Sequence, residues 1–138
     1  MSAWDCPACG RRFGRTNQSH MCSPALTLQQ RLDRLPVEHR AICEAVLREF
    51  AGLADVAVEP VEVGIFVKRA RTFVELRPMK SRVRLTMLHS RAIQHERVFR
   101  PYRARGRRVA NFVDLYGAGE VDDEVRSWLA EAYADSPV

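Results

Sequence analysis

The stretch that decides the fold runs from residue 61 to residue 89 and reads VEVGIFVKRARTFVELRPMKSRVRLTMLH. Apolar residues recur at every second position in three segments of it: Val61–Lys68, Thr72–Arg77 and Arg82–His89. This alternation is typical of strands that bury one face. The short break Pro78-Met79-Lys80-Ser81 predicts an antiparallel hairpin between the second and third segments. The stretch therefore predicts the centre of an antiparallel sheet.

Helical patterns precede this stretch. Residues Leu26 to Leu35 predict a short helix, and Pro36 suits the first turn of a second helix that runs to about Ala51. Apolar residues on the second helix recur at three- and four-residue steps, which indicates a face turned toward a core. Those residues are Ile42, Val46, Phe50 and Leu53.

A strand and a helix are predicted after the central stretch. Residues from about Arg107 to Leu115 predict a further strand, and an Arg-rich loop precedes it. The closing helix begins near Glu120, and its acidic first turn complements the positive end of the helix dipole. The predicted fold class is α+β: an antiparallel sheet of about four strands with helices on one face, preceded by a small zinc-binding finger.

The finger is predicted from clustered cysteines. The run Cys-Pro-Ala-Cys-Gly places two thiolates on a tight knuckle, and Gly10 lets the backbone amides turn toward the sulfurs. Three thiolates and one imidazole close a tetrahedral site, which predicts one structural zinc ion with no position for substrate water. His39 and Cys43 are alternatives to His20 in that set. The predicted ligands are Cys6, Cys9, His20 and Cys22.

Ser23-Pro24 marks the predicted boundary between two domains, a finger over residues 1–24 and an α+β domain over residues 25–138.

No apolar run approaches the roughly 20 residues that a membrane span needs, and residues 1–25 lack the hydrophobic region of a secretory signal. We therefore expect a cytoplasmic protein with no membrane partner. In a reducing cytosol, clustered cysteines indicate metal binding more often than disulfides.

The chain resembles a known family. The resemblance is carried at the start by Trp4-Asp5-Cys6-Pro7, Cys9-Gly10-Arg11, Phe13, Arg15, Asn17-Gln18 and Ser19-His20-Met21-Cys22. It continues through the helix before Gly52, the segments around Ile65-Phe66 and Thr72-Phe73, and the closing helix with Trp128 and Tyr133. Over nearly its whole length the chain is similar to bacterial proteins that carry the domain of unknown function 5655. The resemblance implies a zinc-headed α+β domain and no established biochemical role.

Positive charge is concentrated in the middle of the chain. Residues Val61 to Arg108 carry 14 Arg or Lys against three Glu, a balance of +11, whereas the rest of the chain carries eight bases and 14 acids, a balance of −6. Such asymmetry favours an anionic partner. Because 20 of the 22 bases are Arg, a compositional bias of a high-GC genome is an equal alternative.

The polar face of the predicted sheet combines aromatic rings with bases. Stacking together with phosphate contacts is how single-stranded nucleic acid is commonly held, so this face predicts a nucleic-acid surface. The alternative is a protein-interaction or small-ligand-binding regulatory domain, and nothing in the sequence indicates the oligomeric state. The predicted nucleic-acid residues are Phe66, Lys68, Phe73, Arg77, Arg82 and Arg84.

No catalytic residue is predicted. His89, His95 and Glu96 lie close in sequence without a recognisable nucleophile. A metal-dependent nuclease would need converging acids near a lysine, and Glu62 with Glu75 is the one pair of acids on neighbouring predicted strands. Those two carboxylates are more simply explained as solvent-face charges paired with Arg. We therefore expect a non-enzymatic, zinc-stabilised binding module.

Overall fold

The computed structural model of the chain describes residues 3–20, 26–103 and 108–137. Two short strands form the finger: β1 (Trp4–Asp5) and β2 (Arg12–Phe13). The helices are α1 (Leu28–Asp33), α2 (Val37–Leu47) and α3 (Asp123–Asp135), with 3-10 turns at Arg48–Phe50 and Ala118–Glu120. The remaining strands are β3 (Ala57–Val61), β4 (Gly64–Lys68), β5 (Thr72–Pro78), β6 (Val83–His89), β7 (Phe99–Arg103) and β8 (Val109–Leu115).

The main sheet has six strands in the order β3-β4-β5-β6-β8-β7, and every neighbouring pair is antiparallel. The α+β class is confirmed, with two strands more than the sequence predicts. One addition is β3, which pairs with β4 across the exposed turn Glu62-Val63, so the predicted segment Val61–Lys68 holds this turn and all of β4. The other is β7, which lies in the segment predicted as an Arg-rich loop and pairs with β8.

The three helices pack on one face of the sheet, as predicted. The core lies between that face and the apolar stripes of α2 and α3, and its α2 stripe includes Ile42 and Val46 as expected. On the strands, core residues occupy matched register positions such as Ile65, Leu76 and Leu85. The opposite face, called the open face below, carries in register Glu59, Phe66, Glu75, Thr86 and Phe112.

Side-chain caps set two of the helix starts. The hydroxyl of Thr27 accepts a hydrogen bond from the Gln30 amide, and the Gln30 side chain accepts one from the Thr27 amide. This reciprocal capping box begins α1. Asp122 caps α3 by accepting from the Val125 amide. The helices therefore begin one to three residues later than the sequence pattern predicts.

The finger contacts the sheet through a buried ion pair. Lys68 and Glu59 lie 2.7 Å apart on neighbouring strands, and each side chain is only 11% exposed. The amide of Arg12 donates to Glu59 over 2.6 Å, and Lys68 Nζ donates to the Arg12 carbonyl over 2.6 Å. One main-chain residue of β2 is therefore held on the open face by both members of the pair.

Within the described ranges, none of the helices is both long enough and apolar enough to cross a membrane.

Candidate metal centre and open sheet face

A tight turn between β1 and β2 positions the two knuckle cysteines. The Gly10 amide donates to the Cys6 carbonyl over 2.7 Å, and the Cys6 amide donates to the Arg11 carbonyl over 2.8 Å. Gly10 has a φ of +73°, a left-handed conformation that is costly for other residues. The glycine after Cys9 thus lets the chain close a tight turn there.

The turn and the following segment bring three ligand atoms together. One ligand atom from each of Cys6, Cys9 and His20 lies within 4.8 Å of the others, and Cys9 Sγ is 3.3 Å from His20 Nε2. His20 Nδ1–H donates to the Gln18 carbonyl over 2.6 Å. That hydrogen bond selects the tautomer whose Nε2 lone pair points to the sulfurs, as in many metal-bound histidines.

Aromatic rings shield the cluster. The Phe13 ring lies 4.1 Å from the His20 ring, and Trp4 packs 6.0 Å from Phe13. Both cysteines are about 95% buried, at 5% and 4% exposure for Cys6 and Cys9. A short loop cannot build a core of ordinary size, so these rings supply its packing.

Two thiolates and an imidazole form a donor set that suits a tetrahedral, thiophilic metal ion. Cys6, Cys9 and His20 could therefore hold a metal ion. The fourth predicted ligand, Cys22, lies outside the described residues.

The two alternative ligands lie in the α+β domain instead. His39 is on α2, where its Nε2–H donates to the Met79 carbonyl over 2.8 Å. Cys43 is fully buried in the core, and burial raises the pKa of its thiol to about 12. Neither belongs to the described metal cluster, so His20 is the imidazole of the site.

Most of the predicted nucleic-acid residues lie on the open face. Phe66 and Lys68 are on β4, and Arg77 is on β5. Arg84 is on β6, directly opposite Arg77. Arg82 precedes β6 and reaches the same carboxylate as Arg84. Five of the six predicted residues are therefore grouped on this face.

The carboxylate in question is Asp114. Arg82 Nε lies 2.8 Å from one of its oxygens and Arg84 Nε lies 2.9 Å from the other. Burial alone would raise the pKa of Asp114, but hydrogen bonds from the two guanidinium groups hold it below its usual value. Two positive charges thus share one negative charge, and Lys68 is paired with Glu59.

The prediction that Phe73 shares this face is wrong. Val67 pairs with Val74 but Lys68 pairs with Thr72, so Phe73 is an extra residue in β5. A bulge of this kind breaks the alternation and lets consecutive side chains point to the same side. Phe73 is fully buried against Phe50 and Tyr133 at ring distances of 5.4 and 6.0 Å.

Two aromatic residues that the sequence analysis did not single out also contribute to the open face. Phe112 on β8 and Phe99 on β7 are register partners with rings 5.9 Å apart, and the Arg84 guanidinium lies 4.9 Å from the Phe99 ring. Phe112 lies inside the predicted strand Arg107–Leu115, so its alternation pattern could have identified it. Phe99 belongs to the strand predicted as a loop.

A concave area of about 390 Å³ occupies the middle of the open face. Glu75 lies in it, half-buried, and its carboxylate makes no hydrogen bond with the described residues. Burial raises the pKa of Glu75, and the charge of Arg77 opposes that rise. The lining residues are Glu75, Arg77, Met79, Arg84, Thr86, Leu88, Ala110 and Phe112.

The residues considered for catalysis are apart in the structure. His89 is buried under α3, whereas His95 lies 3.0 Å from Glu124 and packs against Trp128. Glu62 is exposed in the turn between β3 and β4, and Glu75 is in the middle of the sheet. The acids of the nuclease hypothesis therefore do not converge in the described residues.

These features define an α+β domain preceded by a finger whose Cys/His cluster could hold a metal ion. Over residues 30–136 the chain matches the family described as a domain of unknown function (DUF5655), and it belongs to that family. The match begins after the cluster of Cys6, Cys9 and His20. No curated protein and no solved structure matches the chain.

Proposed function

We propose that the chain is a non-enzymatic, zinc-stabilised module that binds single-stranded nucleic acid on the open face of its sheet. The observation that carries this proposal is a row of half-buried aromatic rings on a face that no described helix covers. Phe66, Phe112 and Phe99 occupy one register line across β4, β8 and β7. Each base has a π-face, so rings of this kind can stack bases of any sequence.

The charges around the rings support the same ligand. The Arg77 side chain makes no hydrogen bond or ion pair with the described residues. Arg82 and Arg84 together face the single carboxylate Asp114, which leaves a net positive charge beside Phe99. Phosphate contacts near stacking rings are the usual arrangement for single strands.

Zinc is proposed for the finger because its donors are two thiolates and an oriented imidazole. Such a site would be structural, since Cys6, Cys9, His20 and Cys22 together leave no open position. Elemental analysis of protein purified under reducing conditions should give about one zinc per chain. A folded protein without bound zinc would contradict this part of the proposal.

Fluorescence anisotropy with labelled, unstructured oligonucleotides tests the stacking surface. Phe112→Ala should weaken binding about 5- to 150-fold, because stacking contributes roughly 1–3 kcal/mol per base. The dependence on salt should not change, since stacking releases no counterions. Phe112→Tyr keeps the ring and should retain most of the affinity.

A matched pair of arginine variants tests the phosphate contacts. Arg77→Ala should reduce the slope of log affinity against log salt by about 0.7, the value for one phosphate on a single strand. Arg34→Ala removes an exposed arginine at the end of α1, on the helix side, and should leave the slope unchanged. Equal effects of the two substitutions would indicate a general effect of net charge and would refute a specific surface.

A small polar ligand in the concave area is the second candidate. It is favoured by the half-buried carboxylate of Glu75, which has no hydrogen-bond partner among the described residues. A donor-bearing ligand would satisfy that carboxylate. This candidate is supported if small amines or amides stabilise the protein against heat, if Glu75→Gln abolishes the effect, and if oligonucleotides do not bind.

A further inference from the structure

A second concave area lies where the finger meets the sheet. It has a volume of about 370 Å³ and is called the junction cleft below. One wall comes from the finger segment between Cys9 and His20, and the other comes from the end of β4 and the start of β5. Its lining residues are Phe13, Gly14, Arg15, Gln18, Lys68, Ala70, Arg71 and Thr72.

The junction cleft has an excess of positive charge. Arg15 and Arg71 are both exposed, and neither side chain makes a hydrogen bond or an ion pair with the described residues. Lys68 is the third base in the lining, and its charge is already balanced by Glu59. No carboxylate occurs among the described lining residues, so two guanidinium groups remain without a counter-ion.

A third guanidinium group reaches the same end of the sheet. Arg108 Nη2 donates to the carbonyl of Thr72, a lining residue, over 3.0 Å. Burial, and then the charge of Arg71, hold the pKa of Arg108 below its ordinary value. A half-buried cation beside a second cation is unfavourable unless an anion compensates both.

We propose that the junction cleft binds a phosphate group through Arg15, Arg71 and Arg108. Guanidinium groups present paired N–H donors that match two phosphate oxygens, so a phosphate group would receive charge-assisted hydrogen bonds from more than one direction. The site is distinct from the aromatic row, and it does not depend on the nucleic-acid proposal. The terminal phosphate group of a nucleic-acid strand and a small phosphorylated molecule offer the same chemistry.

Metal binding would control this site. Arg15 and Gln18 belong to the segment between Cys9 and His20, so their positions depend on the metal cluster at both ends of that segment. Arg71 and Arg108 come from the α+β domain. The complete site therefore requires a folded finger, whereas half of it remains when the finger unfolds.

Titration with inorganic phosphate and with pyrophosphate, followed by ³¹P and amide NMR, tests the site on the metal-loaded protein. Shifts should be centred on Gly14 and Thr72. Arg71→Ala and Arg108→Ala should each weaken pyrophosphate binding about tenfold, the change expected for one charge-assisted hydrogen bond. Arg34→Ala is the matched control and should have no effect. Unchanged binding in both cleft variants would overturn the proposal.

Two further comparisons make the result specific. Removal of the metal with a chelator should weaken pyrophosphate binding to the level of Arg15→Ala, and full affinity in the metal-free protein would refute the role of the finger.

Oligonucleotides identify the source of the phosphate group. If an oligonucleotide with a 5′-phosphate binds more tightly than its 5′-hydroxyl counterpart, the source is the end of a nucleic-acid strand, whereas equal binding of the two would identify a small molecule. Phe112→Ala should leave pyrophosphate binding intact, so failure of the aromatic surface and failure of the cleft are separable.

Discussion

Gly64 is a residue whose missing side chain permits close contact between two strands. It is buried at the start of β4, and a Cβ atom there would overlap the carbonyl oxygen of Leu76 on β5. Because the obstacle is backbone, a side chain could be accommodated only if the strands moved apart. The sequence places Gly64 in a strand, but it gives no indication of this contact.

Gly64→Ala should therefore lower the free energy of unfolding by about 1–3 kcal/mol, as overpacking does elsewhere. The control is Gly119→Ala, because a Cβ atom at Gly119 meets nothing within 4 Å. Urea unfolding of both variants measures the difference. If Gly64→Ala is as stable as the control, the β4–β5 contact is looser than the structure indicates.

His89 forms a buried network between the sheet and α3. Its Nε2–H donates to the Trp128 carbonyl over 2.8 Å, and its Nδ1 accepts from Asn111 Nδ2 over 2.9 Å. Asn111 in turn accepts from the Ile93 amide and donates to the Arg91 carbonyl. Every described polar group of the network is satisfied while the imidazole is neutral.

Acid should destabilise this network. Burial lowers the pKa of His89 below its ordinary 6.5, although hydrogen bonding to Trp128 and the charges of Glu131 and Asp135 act in the opposite direction. Below about pH 6.5 the unfolded chain binds a proton that the folded chain resists, so stability falls as the pH decreases toward the folded pKa. The contribution is complete above pH 6.5.

His89→Gln should flatten the dependence of unfolding free energy on pH below about 6.5, at lower overall stability. His95→Gln is the control, since His95 interacts with Glu124 outside this network. Urea unfolding at several pH values gives the slope, which cannot exceed about 1.4 kcal/mol per pH unit for one proton. The same slope in wild type and His89→Gln would show that other groups cause the acid sensitivity.

At the scale of elements, the sequence predicts those features that follow from simple periodicity. The central strands, the stripe of α2 and the helix-covered face all follow from periods of 2 and 3.6 residues. Phe73 was misplaced because it is the extra residue of a bulge, whereas Arg77, beyond the bulge, lies on the predicted face. The bulge lies after the Lys68 turn, and no glycine or proline in that turn indicates it.

The extra strands were missed for a different reason. β3 contains Pro60 directly after Glu59, whose carboxylate pairs with Lys68 on the open face. A proline next to a charged residue makes this short segment resemble a loop. β7 contains Pro101 between Arg100 and Tyr102. Both strands are at the edges of the sheet, where one side needs no hydrogen-bond partner and proline is tolerated.

The Cys/His cluster was predicted more completely than its attachment to the sheet. The spacing of Cys6 and Cys9 specifies a knuckle, because the ligand geometry is local. The contact of Arg12 with Glu59 and Lys68 joins positions 47 and 56 residues apart, and only the folded sheet brings them together. The grouping of residues on the open face was likewise predicted in part, since Phe112 and Phe99 join that face through strand pairing.

Cys9→Ser tests whether the finger and the α+β domain are separable in stability. The finger has little packing of its own, so loss of a metal ligand should unfold it. The core strands have their own apolar contacts, and their amides should stay protected in hydrogen exchange. Protection should be lost over residues 3–20 and retained in β5, β6 and β8. Loss of protection throughout the sheet would show that the two parts form one cooperative unit.

At the scale of the whole molecule, the basic segment Val61 to Arg108 is divided between the two faces of the sheet. Its bases on the helix side are neutralised by acids of α3 and its cap: Arg91 pairs with Glu131, and Arg97 pairs with Asp122. The bases of the open face and of the junction cleft have fewer acids near them. Among the described residues, the balance of +11 thus overstates the charge that a ligand meets, but bases without an acidic partner, such as Arg77 and Arg71, lie on the open face and in the junction cleft.

Asp114 is the carboxylate that most limits the charge of the open face, because it binds both Arg82 and Arg84. Asp114→Asn keeps a hydrogen-bond acceptor and releases the two guanidinium groups from an ion pair. Oligonucleotide binding should become tighter, and the log–log salt slope should steepen by up to about 1.4, the value for two phosphates on a single strand. Asp33→Asn is the control, because Asp33 pairs with Arg40 on the helix side and its loss changes the net charge equally. A steeper slope in Asp114→Asn alone places the phosphates on the open face, whereas equal changes in both variants would mean that the nucleic acid responds only to the net charge of the protein.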